Sequence, residues 1–186
     1  PQEGGELRLL VFGGSQGARI MSDIVPPAIA KLTAQERARL RIVQQAREED
    51  VARVRAAYLE AGVTAEIAPF FKDLPGHMAH SQLVIARAGA STVAEISVIG
   101  RPSILIPLPG SLDQDQAANA ASLGGIGAAT VLPQAKFVPD GLAEILGHAL
   151  SAPGRLAGMA ALARKAGIPD AAERLADLVR ETARLM

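Results

Sequence analysis

Residues 86–119 read ARAGASTVAEISVIGRPSILIPLPGSLDQDQAAN, and this run decides the fold. An apolar strand ends at Ala86, a turn of small residues follows, and a helix opens through Ser91 and Thr92 with Glu95 one turn in. A second apolar strand spans Ser103 to Pro107, and a second helix is entered through Asp113 and carries Gln116 and Asn119. Two helix N-termini therefore follow two neighbouring strands. Each presents unpaired backbone N–H groups and the positive end of a helix dipole, so small residues there make a seat for a phosphorylated ligand.

Working outward, the same strand-then-helix rhythm fills the chain. Glu6–Phe12 is a leucine-rich apolar run closed by Gly13-Gly14, as a buried parallel strand should be. From Gly17 the pattern turns helical, with Ile20, Ile24 and Ile29 near one face and an interruption expected at Pro26-Pro27. Thr33 and Glu36 have capping-box spacing. Leu40–Gln44 is the second strand, and a helix through Val51, Val54, Tyr58 and Leu59 stops at Gly62. Ala65–Pro69, Leu83–Ala86, Ser103–Pro107 and Gly127–Leu132 supply four more strands, with a short helix through Leu74 and Met78. From Pro139 onward the tail is helical, and its last stripe of Leu175, Leu178, Val179 and Leu185 suits a helix packed on a core or on a missing neighbour.

Six strands alternating with helices predict an α/β fold: a doubly wound, parallel, six-stranded Rossmann-like sheet with extra C-terminal helices. In the common strand order the first and fourth strands are neighbours at the switch point. That order brings Gly13-Gly14-Ser15-Gln16-Gly17 beside Ala88-Gly89-Ala90-Ser91-Thr92 across one crevice.

Composition narrows the function. The 186 residues suit one domain, 1–186, and 49% hydrophobic with 20% charged residues marks a folded chain. Nineteen basic and nineteen acidic residues cancel, which argues against nucleic acid held by bulk charge. No apolar run approaches the roughly 18 residues needed to span a bilayer, so a cytoplasmic location is expected. Without cysteine there are no disulfides or thiolate metal sites. The first residue is Pro1 and PQEGGE reads as a linker, so a piece of a longer protein is expected.

Each candidate residue has a plain reading beside the functional one. The turn holding Gly14, Ser15, Gln16 and Gly17 lets backbone approach a ligand, yet any such fold needs a tight turn here. It is not the dinucleotide fingerprint: the glycines run G-G-x-x-G, and the second strand ends in Gln44-Gln45 where an acid should meet an adenosine ribose, which disfavours NAD. Glu95 either closes a capping box with Thr92 or accepts from the hydroxyls of a ribose. Asp113, Asp115, Gln116 and Asn119 either start a solvated helix or satisfy sugar hydroxyls. Phe70 and Phe71 are core packing or the wall of a nucleobase slot. Arg87 pairs with phosphate or with an acid on the sheet rim. His77, His80 and His148 lack metal-ligand company.

Taken together, VFGGSQGAR, ARAGASTVAEISVIGRPSILIPLP, DQDQAANA and PDAAERLADLV resemble, in order and over essentially the whole chain, the C-terminal half of the MurG family of peptidoglycan glycosyltransferases. The resemblance implies a GT-B enzyme that moves N-acetylglucosamine from UDP-N-acetylglucosamine to lipid I, making lipid II by direct inverting displacement. It implies a donor site in which Ser15 and its glycine neighbours lie along the diphosphate and Ala90, Ser91 and Thr92 bind phosphate. Glu95 would take the ribose hydroxyls, the backbone at Phe71 the uracil edge with Phe70 nearby, and Gln116 with Asn119 the sugar hydroxyls. Asp115 stands where members of the family often have His or Gln, and Ser91 where Leu is frequent. No essential metal or cofactor is implied. The general base, the lipid I acceptor site and the membrane contact belong to an N-terminal half absent here, so this chain alone is expected to be inactive and the full protein to work at the cytoplasmic face of the bacterial inner membrane. The alternatives are another GT-B donor domain, or a non-catalytic nucleotide-sugar-binding subunit needing a membrane partner.

Overall fold

A computed structural model describes residues 2–14, 17–111 and 115–184. Its centre is β1 (Leu7–Phe12), in which every residue but Arg8 is buried. Successive side chains of a strand point to opposite faces, and β1 feeds two cores: Leu7, Leu9 and Val11 on one side, Leu10 and Phe12 on the other. A strand buried on both faces needs helices above and below. The chain supplies them through β2 (Leu40–Gln45), β3 (Thr64–Ala68), β4 (Leu83–Ala86), β5 (Ser103–Leu105) and β6 (Ala129–Val131), with helices between.

All five strand pairings are parallel, in the order β3-β2-β1-β4-β5-β6. The predicted doubly wound sheet is therefore present, with β1 beside β4. Helices α1 (Arg19–Ala30), α3 (Glu48–Glu60) and α7 (Pro139–Ser151) bury Met21, Val25, Val54, Tyr58 and Leu146 on one face. Helices α4 (Leu74–His80), α5 (Ala90–Ile99) and α6 (Asp115–Gly125) bury Met78, Val93, Ile96 and Leu123 on the other. α8 (Pro153–Ala166) contributes Leu156 and Met159 to the first core and Ala163 to the second.

Several local expectations need correction. α1 is not interrupted: Pro26 and Pro27 lie inside a continuous helix. Proline at 26 removes the donor that the Ser22 carbonyl would accept, and the guanidinium of Arg53 donates to that carbonyl at 3.3 Å instead. β5 stops at Leu105, before Pro107, which has no N–H for a ladder. The Thr33–Glu36 capping box forms as read and opens α2 (Ala34–Ala38).

The terminal helix α9 (Ala171–Arg184) does not pack on the core. It buries no side chain, and Leu175, Leu178 and Val179 are about 60% exposed. Leu185 lies outside the described residues. An amphipathic stripe says that a face seeks apolar cover; it does not say the cover lies in this sheet.

Candidate functional site

At the carboxyl ends of β1 and β4 the chain opens into a crevice of about 660 Å³, within the range of small-molecule sites. One wall is the turn after β1. A Cβ on Gly13 would sit 2.2 Å from the Ala18 backbone nitrogen, so only glycine lets the turn fold this tightly. Gly14 and Gly17 have φ of 90° and 67°, and the Gly17 N–H donates to the Gly14 carbonyl at 3.0 Å. Ser15 and Gln16, predicted to join this wall, lie outside the described residues.

The opposite wall is the start of α5, where Gly89 is the N-cap and no side chain caps the helix. The N–H groups of Ala90, Ser91 and Thr92 therefore have no intrahelical acceptor. Ser91 and Thr92 line the crevice. Ala90 sits exposed at the first helical position, outside that wall. The Thr92–Glu95 capping box does not form, because a helix capped at Gly89 puts Thr92 at its third position and Glu95 in its second turn. Glu95 is half-buried, and among the described residues it has no hydrogen-bond or ion-pair partner.

Glu95 instead faces a second pocket of about 140 Å³ that shares Gly14, Ser91 and Thr92 with the crevice. Phe71 is buried there, its ring edge-on to His77 at 4.8 Å. Phe70, 66% exposed, lines the mouth. Gln45 ties this pocket to the glycine turn. Its Oε1 accepts from the Gly13 N–H at 3.1 Å, and its Nε2 donates to the Pro69 carbonyl at 3.2 Å. Sequence reading saw Gln45 only as a missing acid. That its amide would bridge two loops depends on strand register, which composition does not carry.

On the far side, α6 latches the strand ends. Gln116 Oε1 accepts from the N–H groups of Ala88 (3.3 Å) and Leu108 (3.1 Å), and Asn119 Nδ2 donates to the Ala88 carbonyl at 3.1 Å. Gln116 lines the crevice, its Nε2 unengaged among the described residues. Asn119 spends its donor on bracing. Asp115 is exposed and accepts from the Gln116 N–H at 2.7 Å, and Asp113 lies outside the described residues.

Among the described residues Arg87 meets no acid on the sheet rim. It is 9% exposed and donates from Nη1 to the carbonyls of Ile106 (3.1 Å) and Pro107 (3.2 Å), and from Nη2 to Gln134 Oε1 (2.6 Å). Burial pushes its pKa down. Arg19 and Arg47 join Arg87 along the crevice, and its described lining contains no Asp, Glu or His. In a chain of zero net charge, this is a local concentration of positive field facing bare helix-end amides. Arg19 and Arg47 gave no signal in the sequence beyond following a strand and a turn. Among the described residues no group of three or more His, Cys, Asp or Glu is placed to hold a metal, and no helix is long and apolar enough to cross a membrane.

Comparison with known proteins places this geometry. Residues 8–175 match the family described as glycosyltransferase family 28 C-terminal domain. The UDP-N-acetylglucosamine--N-acetylmuramyl-(pentapeptide) pyrophosphoryl-undecaprenol N-acetylglucosamine transferase of Methylobacterium sp. (strain 4-46) is 65% identical over 180 residues, 96% of this chain and 48% of that protein. The protein of the same name from Nitrobacter hamburgensis is 57% identical over 185 residues, covering 100% of this chain and 50% of its own length. A crystal structure of Acinetobacter baumannii MurG superposes with a TM-score of 0.87 at 32% identity, covering 97% of this chain and 54% of that one. The chain thus spans about half the length of the curated relatives it matches.

Proposed function

The chain belongs to the glycosyltransferase family 28 C-terminal domain family, and from that premise we propose that it is a single domain forming the donor-binding half of a MurG-type transferase. Its ligand is UDP-N-acetylglucosamine, whose sugar the complete enzyme passes to lipid I to make lipid II in peptidoglycan synthesis, at the cytoplasmic face of the inner membrane. One observation carries the reading: the glycine turn after β1 and the uncapped start of α5 converge on one crevice, and a second pocket holding Glu95 and Phe71 opens from the same residues.

The diphosphate belongs over the amides of residues 90–92, against Gly14 and Gly17, where N–H dipoles and arginines favour negative charge. The nucleoside then extends into the second pocket, with the uracil edge at the Phe71 backbone and the ribose hydroxyls on Glu95. A carboxylate without a partner among the described residues can accept from two hydroxyls at once. The sugar points the other way, toward Gln116, whose Nε2 remains able to donate. As the anomeric C–O bond to the diphosphate breaks, charge grows on the leaving UDP, and donors fixed beforehand stabilise it without rearrangement. Arginine supplies the opposing positive charge here and the backbone amides supply N–H donors, so no essential metal is invoked. The acceptor and the base that takes its proton belong to the other half.

Titration calorimetry with UDP-N-acetylglucosamine, UDP-glucose and NAD tests the reading. Binding of UDP-N-acetylglucosamine in preference to the other two is expected. Equal heats from NAD, or none from any UDP sugar, would remove the nucleotide-sugar assignment.

A further inference from the structure

The crevice holds a buried cation, Arg87, that no acidic side chain among the described residues neutralises. Ion pairs among the described residues engage Arg8, Arg19, Lys31, Arg41, Arg53, Arg174 and Arg180, and Arg87 is in none of them. Its three acceptors are neutral: two backbone carbonyls and one amide oxygen. A guanidinium stays protonated at any ordinary pH, so a fixed positive charge sits in a poorly solvated wall. Removing a charge from water without a counter-ion is unfavourable, and burying it beside an anion's seat reverses the balance once the anion arrives.

The structure assigns to Arg87 the counter-charge of the diphosphate: the residue binds the donor's phosphates and, through Ile106 and Pro107, holds the sugar-side loop in register with them. This rests on the reading that the crevice takes a nucleoside diphosphate. The geometry links the two ends because one guanidinium does both tasks. It lines the crevice with Gly14, Ser91 and Thr92, and it grips the carbonyls just before Leu108, whose N–H is latched by Gln116.

The test compares UDP with uridine by calorimetry on the wild-type chain, Arg87→Gln and Arg87→Lys, at about 50 and 500 mM salt, a range over which exposed charges become largely screened. Glutamine keeps one donor for the carbonyls and loses the charge; lysine keeps the charge and loses the fork. The expected result is a loss of UDP affinity in Arg87→Gln of about tenfold to a hundredfold, the usual worth of a charge-assisted hydrogen bond. Uridine affinity should stay unchanged and the salt dependence of UDP binding should flatten. Arg87→Lys should retain part of both the UDP preference and its salt dependence. If either variant weakens uridine and UDP by the same factor with the salt dependence intact, Arg87 is only a brace and the inference fails. Should Arg87→Gln not fold, the lysine variant gives the same decision. Wild-type UDP binding matched by both variants would also overturn this assignment while leaving the nucleotide reading in place, whereas a wild-type chain binding neither ligand would sink that reading and this one with it.

Discussion

Glu95 shows how a single side chain separates two readings that sequence leaves level. Thr92-x-x-Glu95 has the spacing of a capping box, and only the position of the cap decides. Gly89 takes that role, so Glu95 lies a turn too far along to cap anything and faces the pocket without a partner among the described residues. Its removal should therefore cost binding and not stability. Glu95→Ala is expected to weaken UDP binding about tenfold or more, with the melting temperature unchanged. Binding of 2′,3′-dideoxy-UDP should be weaker in the wild type and indifferent to the substitution. Equal losses for UDP and the dideoxy analogue would detach Glu95 from the ribose. Gly13 makes the opposite case. Gly13→Ala drives a methyl group to 2.2 Å from the Ala18 nitrogen, a backbone clash that no rotamer relieves, so a loss of at least about 1–3 kcal/mol in chemical denaturation is expected.

Among the elements, those with local signals read cleanly and those defined by partners did not. The Thr33–Glu36 box is wholly local, four residues that satisfy one another, and it forms as read. Accepting from the Thr33 backbone N–H, and then from its hydroxyl, holds the Glu36 carboxyl below its ordinary range. A depressed carboxylate contributes stability that is complete above its unfolded pKa and lost as pH falls through the folded one. Hydrogen-exchange protection in α2, taken relative to the free-peptide rate at each pH, should fall below about pH 4, where free glutamate protonates, and Glu36→Gln, which keeps the box without the titration, should remove that acid-side step. A step unchanged in Glu36→Gln would assign it elsewhere. The continuity of α1 was illegible for the converse reason: the donor that replaces Pro26, Arg53, comes from another helix 31 residues from Ser22. The amphipathic pattern of α9 announced a buried face without naming its partner, and the sheet does not cover it. A helix of 14 residues burying no side chain has little tertiary support, so its amides should exchange far faster than those of α5.

For the molecule as a whole, strand alternation, read with the common doubly wound order, was enough to put β1 beside β4 and to bring two loops some seventy residues apart into one crevice; the full order β3-β2-β1-β4-β5-β6 comes from the structure. The bracing by Gln45, Arg87, Gln116 and Asn119 was not readable, because each bond depends on which strand ends face each other once the sheet is built. That same assembly suggests where this chain's part in the reaction stops. Attack by an acceptor hydroxyl needs a group within hydrogen-bond reach that can take its proton. The described lining of the crevice offers arginines, amides and hydroxyls, all poor proton acceptors, and the one carboxylate in the described lining of the adjoining pocket, Glu95, lies on the nucleoside side. Since the chain also spans about half the length of its relatives, donor binding and sugar transfer should separate. Residues 1–186 alone are expected to bind UDP-N-acetylglucosamine and to form no lipid II from a lipid I analogue, as followed by radiolabel transfer. A longer protein containing the same residues should do both. Turnover by the 186-residue chain would mean that a base is present within it, and the division of labour between the halves would have to be redrawn.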